Sequence, residues 1–563
     1  MKILQFENVN CKNCYKCVRY CPVKAIEIKN HCAQIREDEC ILCGRCTIVC
    51  PQKTKEAISD VEKIKDALDE KKQVVVSVAP SFSAYYHSEF TDFREALLKL
   101  KFAEVFETAE GAYLVKTEYE KLLEENPGKT YISSCCTSLN ELIKKYYPKA
   151  LKYLAPVITP MEAHSKLLKE RFPDAVIVFV SPCIAKKIER YDKDSHVDYI
   201  ISFEELSEML KGKNIEISKS NSEGEETRYL SRKFPTHGGI ISSMKPATNH
   251  EYISLSGYKD CVQAIDDICK GNVSKSFVEM SFCEGSCIGG PSFQRSNISL
   301  LISNLEINKQ SKVFDYSNDF NVMYKQSLKK IYTDRETIIH EKPSESQIVA
   351  ILHKMGKYTE GDELNCGMCG YFSCREKAAA VYASKAEISM CLPYMKERAE
   401  SFSNQIINIT PNAILAVDMD LKVQQINKAA SDIFHLEPKD IINQPVSRIL
   451  DEFDFVNIIT SGTPKTEKFT FLAEYNAYLS QVFMYDKSNS IIVCIMKNIT
   501  AERQKRNQLI QKKIQAAAMA DDIADKQLRI VHEIASLLGE TAAETKIVIR
   551  DLKNTIMLED KEQ

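Results

Sequence analysis

Cysteine thiolates are soft, electron-rich ligands, and most of the 21 cysteines in this 563-residue chain sit in tight groups. The first group is doubled. Cys11, Cys14, Cys17 and Cys21–Pro22 are followed by Cys40, Cys43, Cys46 and Cys50–Pro51 with the same spacing. Three closely spaced thiolates can wrap one face of an iron–sulfur cubane, while a fourth on a Pro-terminated turn reaches a second cubane. Zinc motifs use pairs rather than triplets plus one. Cys11, Cys14, Cys17 and Cys50 are therefore expected to hold one 4Fe-4S cluster, and Cys40, Cys43, Cys46 and Cys21 another. Cys32 falls outside the pattern and reads as a plain packed thiol. Three central motifs follow: Ser133-Ser134-Cys135-Cys136, Ser181-Pro182-Cys183 with Lys186 and Glu189, and Glu279-Met280-Ser281-Phe282-Cys283 with Ser286-Cys287-Ile288-Gly289-Gly290. Each alone is weak. Together they offer thiolates from three strand-end loops, a lysine one turn from a cysteine, and glycines that let backbone approach a cofactor. A last group, Cys366, Cys369, Cys374 and Cys391, can complete one more 4Fe-4S cluster, with Cys391 arriving on the end of an intervening helix. Zinc is the rival there, because four cysteines satisfy it equally well.

The doubled run has the spacing of two-cluster bacterial ferredoxins. Behind it, the order of the central motifs resembles the catalytic domain of iron–iron hydrogenases, whose pattern is TSCCP, then PCxxKxxE, then CxGGCxxGG. The resemblance spans residues 1–400. It implies an H-cluster: a 4Fe-4S cubane joined through a cysteine sulfur to a diiron unit carrying CO, cyanide and azadithiolate. Carried over, Cys136, Cys183, Cys283 and Cys287 would hold the cubane, and Cys287 would bridge to the diiron unit. Cys135 matches the proton-donating thiol. Lys186 matches the lysine that hydrogen-bonds a cyanide; the alternative for Lys186 and Glu189 is a surface i, i+3 ion pair. Ala79, Pro80 and Ser81 match a loop lining the cofactor, with Ser81 a catalytic-site hydrogen-bond partner. Ser181, Pro182, Ser281 and Glu189 complete the expected cofactor contacts.

Departures from the pattern carry information. Thr137-Ser138-Leu139 follows the cysteine pair where the family has PGW. Ser181 and Ser281 stand where methionines are usual, with Met280 one step away, and Ser286 replaces a glycine. Hydroxyls in place of soft apolar walls are expected to shift the redox balance of the cluster. Aligning Gly111-Ala112-Tyr113-Leu114 with the family's GADL puts Tyr119 and Leu122 where two relay glutamates belong, and Ala155 where a relay serine belongs. Glu118 and Glu120 point elsewhere on their helix. Slow turnover by another proton route is expected, which fits sensory members of the family.

The elements that position these residues follow from patterning. Apolar runs at 72–80, 175–182 and 197–202 alternate with charged helical stretches, so residues 57–345 read as an α/β hydrogenase domain with parallel strands. In such sheets, sites gather at strand ends. Residues 1–56 form the ferredoxin-like domain and 346–400 a small four-cysteine iron–sulfur domain. Residues 401–500 resemble a PAS domain, through Asn412–Asp418, Ile426-Asn427-Lys428-Ala429-Ala430 and the exit Lys497–Arg503. Cys494 reads as core. Residues 501–563, nearly free of Gly and Pro, are expected to be a helical signalling segment in which Ile510, Ile514 and Ala517 make a homodimer seam. The fold class is thus multidomain, α/β and α+β.

A net charge of −3 points to no nucleic acid. No apolar run is long enough for a membrane, and the N-terminus is unlike a secretory signal, so the expected location is cytoplasmic. The leading expectation is a hydrogen-sensing hydrogenase that activates H2 slowly and relays a redox signal. Expected partners are H2 and protons, a ferredoxin or other redox protein, maturation proteins, and a downstream kinase, phosphatase or regulator. The alternatives are a ferredoxin-linked catalytic hydrogenase and an iron–sulfur scaffold lacking the diiron unit.

Overall fold

The computed structural model describes residues 3–6, 11–218, 229–246, 249–311, 327–333, 338, 342–461, 465–538 and 548–555. The chain divides into two compact units, Met1–Met395 and Lys396–Gln563. The three cysteine-bearing segments expected as separate domains therefore fold as one body.

The first unit opens with a ferredoxin-like wrap. Strand β1 (Leu4–Phe6) pairs antiparallel with β4 (Lys55–Ala57), and β2 (Ile26–Lys29) pairs with β3 (Cys32–Ile35). Each cysteine run contains a short helix, Lys16–Tyr20 or Arg45–Val49, and each helix stops at a cysteine with extended backbone, Cys21 (ψ 114°) or Cys50 (ψ 110°). The cause is local. Pro22 and Pro51 clash with an α conformation at the residue before them, so the fourth cysteine of each run leaves its helix.

The strands that follow are β5 (Val74–Val78), β6 (Glu104–Glu107), β7 (Tyr131–Ile132), β8 (Val176–Ser181), β9 (Tyr199–Ser202), β10 (Glu251–Ser256) and β11 (Ser276–Ser281). They build two parallel sheets, in the orders β6-β5-β8-β9 and β10-β11-β7. Every residue of β5 is buried. Parallel sheets are covered on both faces, which is why Val74–Val78 reads as a nearly unbroken apolar run. The carboxyl ends of β5, β7, β8 and β11 lead directly into Ala79–Ser81, Ser133–Cys136, Pro182–Cys183 and Phe282–Cys287. The parallel expectation holds, and it gathers the motifs at one set of strand ends.

The second unit holds β12 (Ala413–Val417), β13 (Val423–Ile426), β14 (Lys465–Leu472), β15 (Ala477–Asp486) and β16 (Ile491–Asn498) in one antiparallel sheet, ordered β13-β12-β16-β15-β14. Burial alternates along β12 and β15, so one face packs and the other is more open. Phe434, Phe455 and Ile458, from helices between β13 and β14, cover the packed face. This is the expected PAS-like fold. The marker residue Asn427 is fully buried and pins the unit. Its Oδ1 accepts from the Ile414 N–H (2.8 Å) and the Ala430 N–H (3.0 Å), and its Nδ2 donates to the carbonyls of Ile407 and Asn412. Cys494 is buried in β16, as expected of a core residue. A helix spans Thr500–Leu538, with Ile510 and Ile514 exposed on it and Ala517 half-buried. Among the described residues no helix is long and apolar enough to cross a membrane.

Candidate active site and electron relay

Cys21, Cys40, Cys43 and Cys46 line one cavity, with Leu4, Val23, Ile26, Ile35 and Ile41 as its apolar walls. Cys21 comes from the first cysteine run and the other three from the second, the crossing expected from spacing. Burial pushes the Cys40 thiol up to about 11 and raises Cys43 and Cys46 further, and each is pushed up again by its neighbours in this set. Four crowded, desolvated thiols suit a cationic metal group, which deprotonates them outright. At the other end, Lys55 links Cys17 and Cys50. Its Nζ lies 3.8 Å from Cys50 Sγ and also hydrogen-bonds the Cys17 thiol, so these two runs meet at a second site. Lys55 carries no motif, and sequence reasoning misses it.

The ferredoxin end presses on the α/β domain. Gly44 sits at φ +73°, and a Cβ there would lie 2.7 Å from Pro291 Cγ. Only glycine suits both the backbone and the space. Arg45 pairs with Glu284 (3.0 Å), and Cys43 acts electrostatically on Cys283. The second cysteine run thus lies beside the third central motif.

The central motifs converge. Cys136 and Cys183 act on both Cys283 and Cys287, and all three loops contribute. Cys287 is exposed by residue surface although its sulfur faces inward among the other three; the thiol environment is the one that bears on ligation. Gly289 is required here, since a Cβ would lie 1.8 Å from the Glu284 carbonyl oxygen. Ser81 is buried, and its Oγ has no partner. A buried hydroxyl without a partner is costly unless a ligand supplies one. Pro80 and Ser181 are buried beside it at the strand ends, Ala79 and Ser281 are half-buried, and Ser181 Oγ accepts from the Cys183 N–H (3.0 Å). Pro182 is buried as well. The clustered thiols, the unpartnered Ser81 hydroxyl and the Lys186 ammonium fit the chemistry of the implied cofactor. Cys136, Cys183, Cys283 and Cys287 would hold its cubane.

Lys186 and Glu189 do form an i, i+3 ion pair (2.7 Å), but it is buried rather than on the surface. The two alternatives are not exclusive. Burial disfavours the Lys186 ammonium, yet Glu189 beside it holds its pKa above the ordinary lysine value. Lys186 Nζ also reaches the Cys135 carbonyl (3.3 Å), leaving one of its three N–H donors for a ligand. Glu189 is the buried partner of this lysine. Its oxygens are taken by Lys186, Thr137 and Thr159, so it positions the lysine. Cys135 is pushed up to about 12 by burial, and its Sγ lies 3.3 Å from Tyr119 Oη.

Ser286 combines a left-handed backbone (φ 63°) with a buried hydroxyl that has no partner. Left-handed geometry costs a non-glycine residue ~1–2 kcal/mol, an orphaned hydroxyl ~1 kcal/mol, and glycine's extra freedom takes back ~0.5–1 kcal/mol. Ser286→Gly should therefore stabilise the cluster-free chain by about 1–2 kcal/mol, read as a higher melting temperature. An unchanged or lower melting temperature would contradict this account.

The fourth site rings a cavity lined by Cys366, Cys369, Cys374 and Cys391 with Lys357 and Lys377. Cys391 does not end a helix as expected. It follows a short 3-10 turn, Ile388–Met390, whereas Cys374 begins the helix Cys374–Tyr382. Among the described residues no three His, Cys, Asp or Glu side chains are drawn close enough to hold a single ion. Four cysteines around one cavity can hold a cubane. This segment shares a core with the ferredoxin end: Tyr371, Ala380 and Met390 pack with Cys17, Val18, Ile26 and Ile28. Arg19 donates to the Gly367 carbonyl (2.9 Å), Lys24 to the Gly370 carbonyl (3.1 Å), and Lys385 pairs with buried Glu39. The Tyr15 hydroxyl senses both Cys11 and Cys369. The extra cysteine group therefore packs against the first cysteine run of the ferredoxin-like end.

Residues 72–291 match the family "Iron only hydrogenase large subunit, C-terminal domain". Residues 33–54 match a 4Fe-4S binding domain, and residues 362–393 match a putative Fe–S cluster family. Iron hydrogenase 1 of Clostridium pasteurianum is 25% identical over 366 residues, covering 52% of this chain and 63% of that protein. The chain thus spans less than two thirds of this relative. A component of an ion-translocating oxidoreductase complex from Methanosarcina acetivorans is 42% identical over 48 residues, 8% of this chain and 18% of that protein. Among solved structures, an FeFe-hydrogenase variant from Chlamydomonas reinhardtii aligns with 49% of this chain and 99% of its own, at 17% identity and a TM-score of 0.40. A PAS domain of an HTR-like protein from Haloarcula marismortui covers 18% of this chain and 99% of its own, at 14% identity and a TM-score of 0.16. Residues 72–291 thus resemble an iron-only hydrogenase C-terminal domain, flanked by segments similar to iron–sulfur families.

Proposed function

We propose that this protein is a hydrogen-activating oxidoreductase of sensory type, converting H2 reversibly to two protons and two electrons at an H-cluster. The carrying observation is the convergence of Cys136, Cys183, Cys283 and Cys287 from three strand-end loops, with Lys186 and Cys135 beside them, inside the matched domain. When bound, the diiron unit with its CO, cyanide and azadithiolate would supply the open metal position and the base that divide H2. The chain's own residues do the rest. Lys186, held by Glu189, offers an ammonium to an anionic ligand. Ser81 offers a buried hydroxyl. Cys135 takes up and returns the proton. Electrons would leave by way of the iron–sulfur clusters that Cys43 and its partners, the Cys17–Cys50 site and the Cys366–Cys391 group would hold. A ferredoxin-like partner would receive them.

The sensory reading rests on a PAS-like unit that adds no cysteine cluster of its own, and on Tyr119, Leu122 and Ala155 standing where an acidic and hydroxylic relay is expected. A redox signal passed to a separate kinase, phosphatase or regulator, by a homodimer joined along the Thr500–Leu538 helix, completes it. The test is infrared spectroscopy after maturation by hydrogenase maturation proteins. Bands of bound CO and cyanide, with H2-dependent reduction of the clusters, are expected. Matured protein without those bands would be an iron–sulfur scaffold instead. Removing residues 401–563 should leave turnover in place and abolish any transcriptional response to H2. Equal responses with and without that segment would reduce the protein to a ferredoxin-linked enzyme.

A further inference from the structure

We propose that a string of hydroxyls, Tyr119 to Ser134 to Tyr332, carries the proton of Cys135 outward to the buried Glu162–Lys330–Asp192 cluster. It deepens the reading above and rests on it, since it takes Cys135 as the proton-exchanging thiol. The contacts are continuous from Cys135 as far as Tyr332, and the Tyr332 hydroxyl lies in the field of Glu162. Tyr119 Oη lies 3.3 Å from Cys135 Sγ and 2.8 Å from Ser134 Oγ. Ser134 Oγ donates to the Val157 carbonyl (2.7 Å), and Tyr332 Oη donates to the same carbonyl (2.8 Å). The Tyr332 hydroxyl is also in hydrogen-bond contact with Ser134 and in the electrostatic field of Glu162 and Glu189. Tyr119 Oη accepts the Ser134 N–H (2.9 Å), which fixes its lone pair and aims the O–H at Ser134 Oγ or Cys135 Sγ.

The transfer balances without a redox step. The Cys135 S–H bond breaks as an O–H bond forms on Tyr119. Tyr119 releases its original proton to Ser134, Ser134 its own to Tyr332, and Tyr332 its own to Glu162. Both electrons stay with the clusters. In the resting arrangement Ser134 and Tyr332 point their protons at the Val157 carbonyl, which cannot pass them on. Ser134 must rotate its hydroxyl toward Tyr332 for each proton, and this gate makes the route slower than a chain of carboxyls.

The terminus suits the task. Burial and the nearby Glu189 raise Glu162 to about 7, against the pull of Lys330, so it changes charge near neutrality as a proton acceptor should. Lys330 Nζ bridges Glu162 to Asp192 (2.9 Å), whose side chain is 24% exposed. Glu279 is the rival acceptor, since burial also raises it to about 7 and it acts electrostatically on Cys135. Its carboxylate, however, is tied to backbone N–H groups of the turn 238–241, with Ile241 at 3.0 Å. Hydrogen bonds lead from Cys135 through Tyr119 and Ser134 to Tyr332, beside Glu162, whereas Glu279 has none from Cys135 among the described contacts.

The test compares Tyr119→Phe, Tyr332→Phe and Glu279→Gln in the matured full chain. Tyr119→Phe deletes one oxygen and keeps the ring that packs on Phe277 (5.1 Å). H2 oxidation is measured in H2O and D2O, alongside the infrared bands of CO and cyanide and the S–H stretch of Cys135. Both tyrosine variants should lose about tenfold or more in kcat and show a larger solvent isotope effect with the CO and cyanide bands intact. Only Tyr119→Phe should move the S–H stretch toward that of a free thiol. Wild-type turnover and isotope effect in both tyrosine variants would overturn the route, as would a loss confined to Glu279→Gln. Wild-type protein lacking the CO and cyanide bands would instead remove the hydrogenase reading, and this route with it.

Discussion

A Cys183→Ser chain, matured like the wild type, should show no infrared bands from CO or cyanide. Its iron content should fall by the H-cluster's share alone. Cys183 follows β8 directly, and the serine keeps the turn in which the residue 183 N–H bonds Ser181 Oγ. The fold therefore has no reason to fail, and the paramagnetic signals of the ferredoxin-like clusters should persist. Loss of every cluster signal would mean that the strand-end loop is structural first. The contrasting change is Cys135→Ala. Cys135 sits beside the thiol set without being needed to complete it, so the bands should survive while turnover drops by about 10²–10⁴, the usual loss when a positioned proton carrier is removed. Bands lost in both variants would erase the distinction drawn between ligand and proton carrier.

Glu189→Ala should destabilise the first unit by about 3–5 kcal/mol, the usual cost of leaving a buried charge without its partner. Lys186 would keep its ammonium in a site where Glu189 is 3% exposed and the lysine side chain 13%. Thr137 and Thr159 would lose their shared acceptor as well. For a unit of this size the apparent melting temperature should fall by roughly 4–6 °C. Glu189→Gln keeps an acceptor oxygen and should fall less. The measurement is thermal unfolding of the cluster-free chain, which separates this effect from cofactor loading. A Glu189→Ala chain melting with the wild type would show that Lys186 finds another partner.

How much of the molecule is legible in its sequence depends on whether the cause is local. The two cysteine runs announce their geometry because Pro22 and Pro51 act on the residue just before each, forcing Cys21 and Cys50 out of their helices. The apolar runs at 74–78 and 176–181 announce parallel strands, and with them the strand ends where the motifs gather. Asn427 is visible as a marker, and its four hydrogen bonds explain why that position matters. The rest needs the fold. In sequence, Lys186 and Glu189 read as either a cofactor contact or a surface ion pair; only the fold shows that the pair is buried beside the thiols. Tyr119 stands out as the wrong residue in a relay, yet nothing in the sequence places its hydroxyl on Cys135. Tyr332, Glu162 and Lys330 lie far from any motif, and they meet the site only because the chain returns past Val157. Lys55 is silent for the same reason. The docking of the 366–391 group onto the ferredoxin end is likewise a tertiary fact, built from Val18, Tyr371 and the Glu39–Lys385 pair.

That docking also decides where the polypeptide can be cut. A fragment stopping after residue 345 would strip Tyr371, Ala380 and Met390 from Val18, Ile26 and Ile28 and strand Glu39 without its lysine. The bared apolar floor would make such a fragment sticky and short-lived, however complete its catalytic motifs. The smallest piece suited to crystals or to coating an electrode therefore runs through Met395.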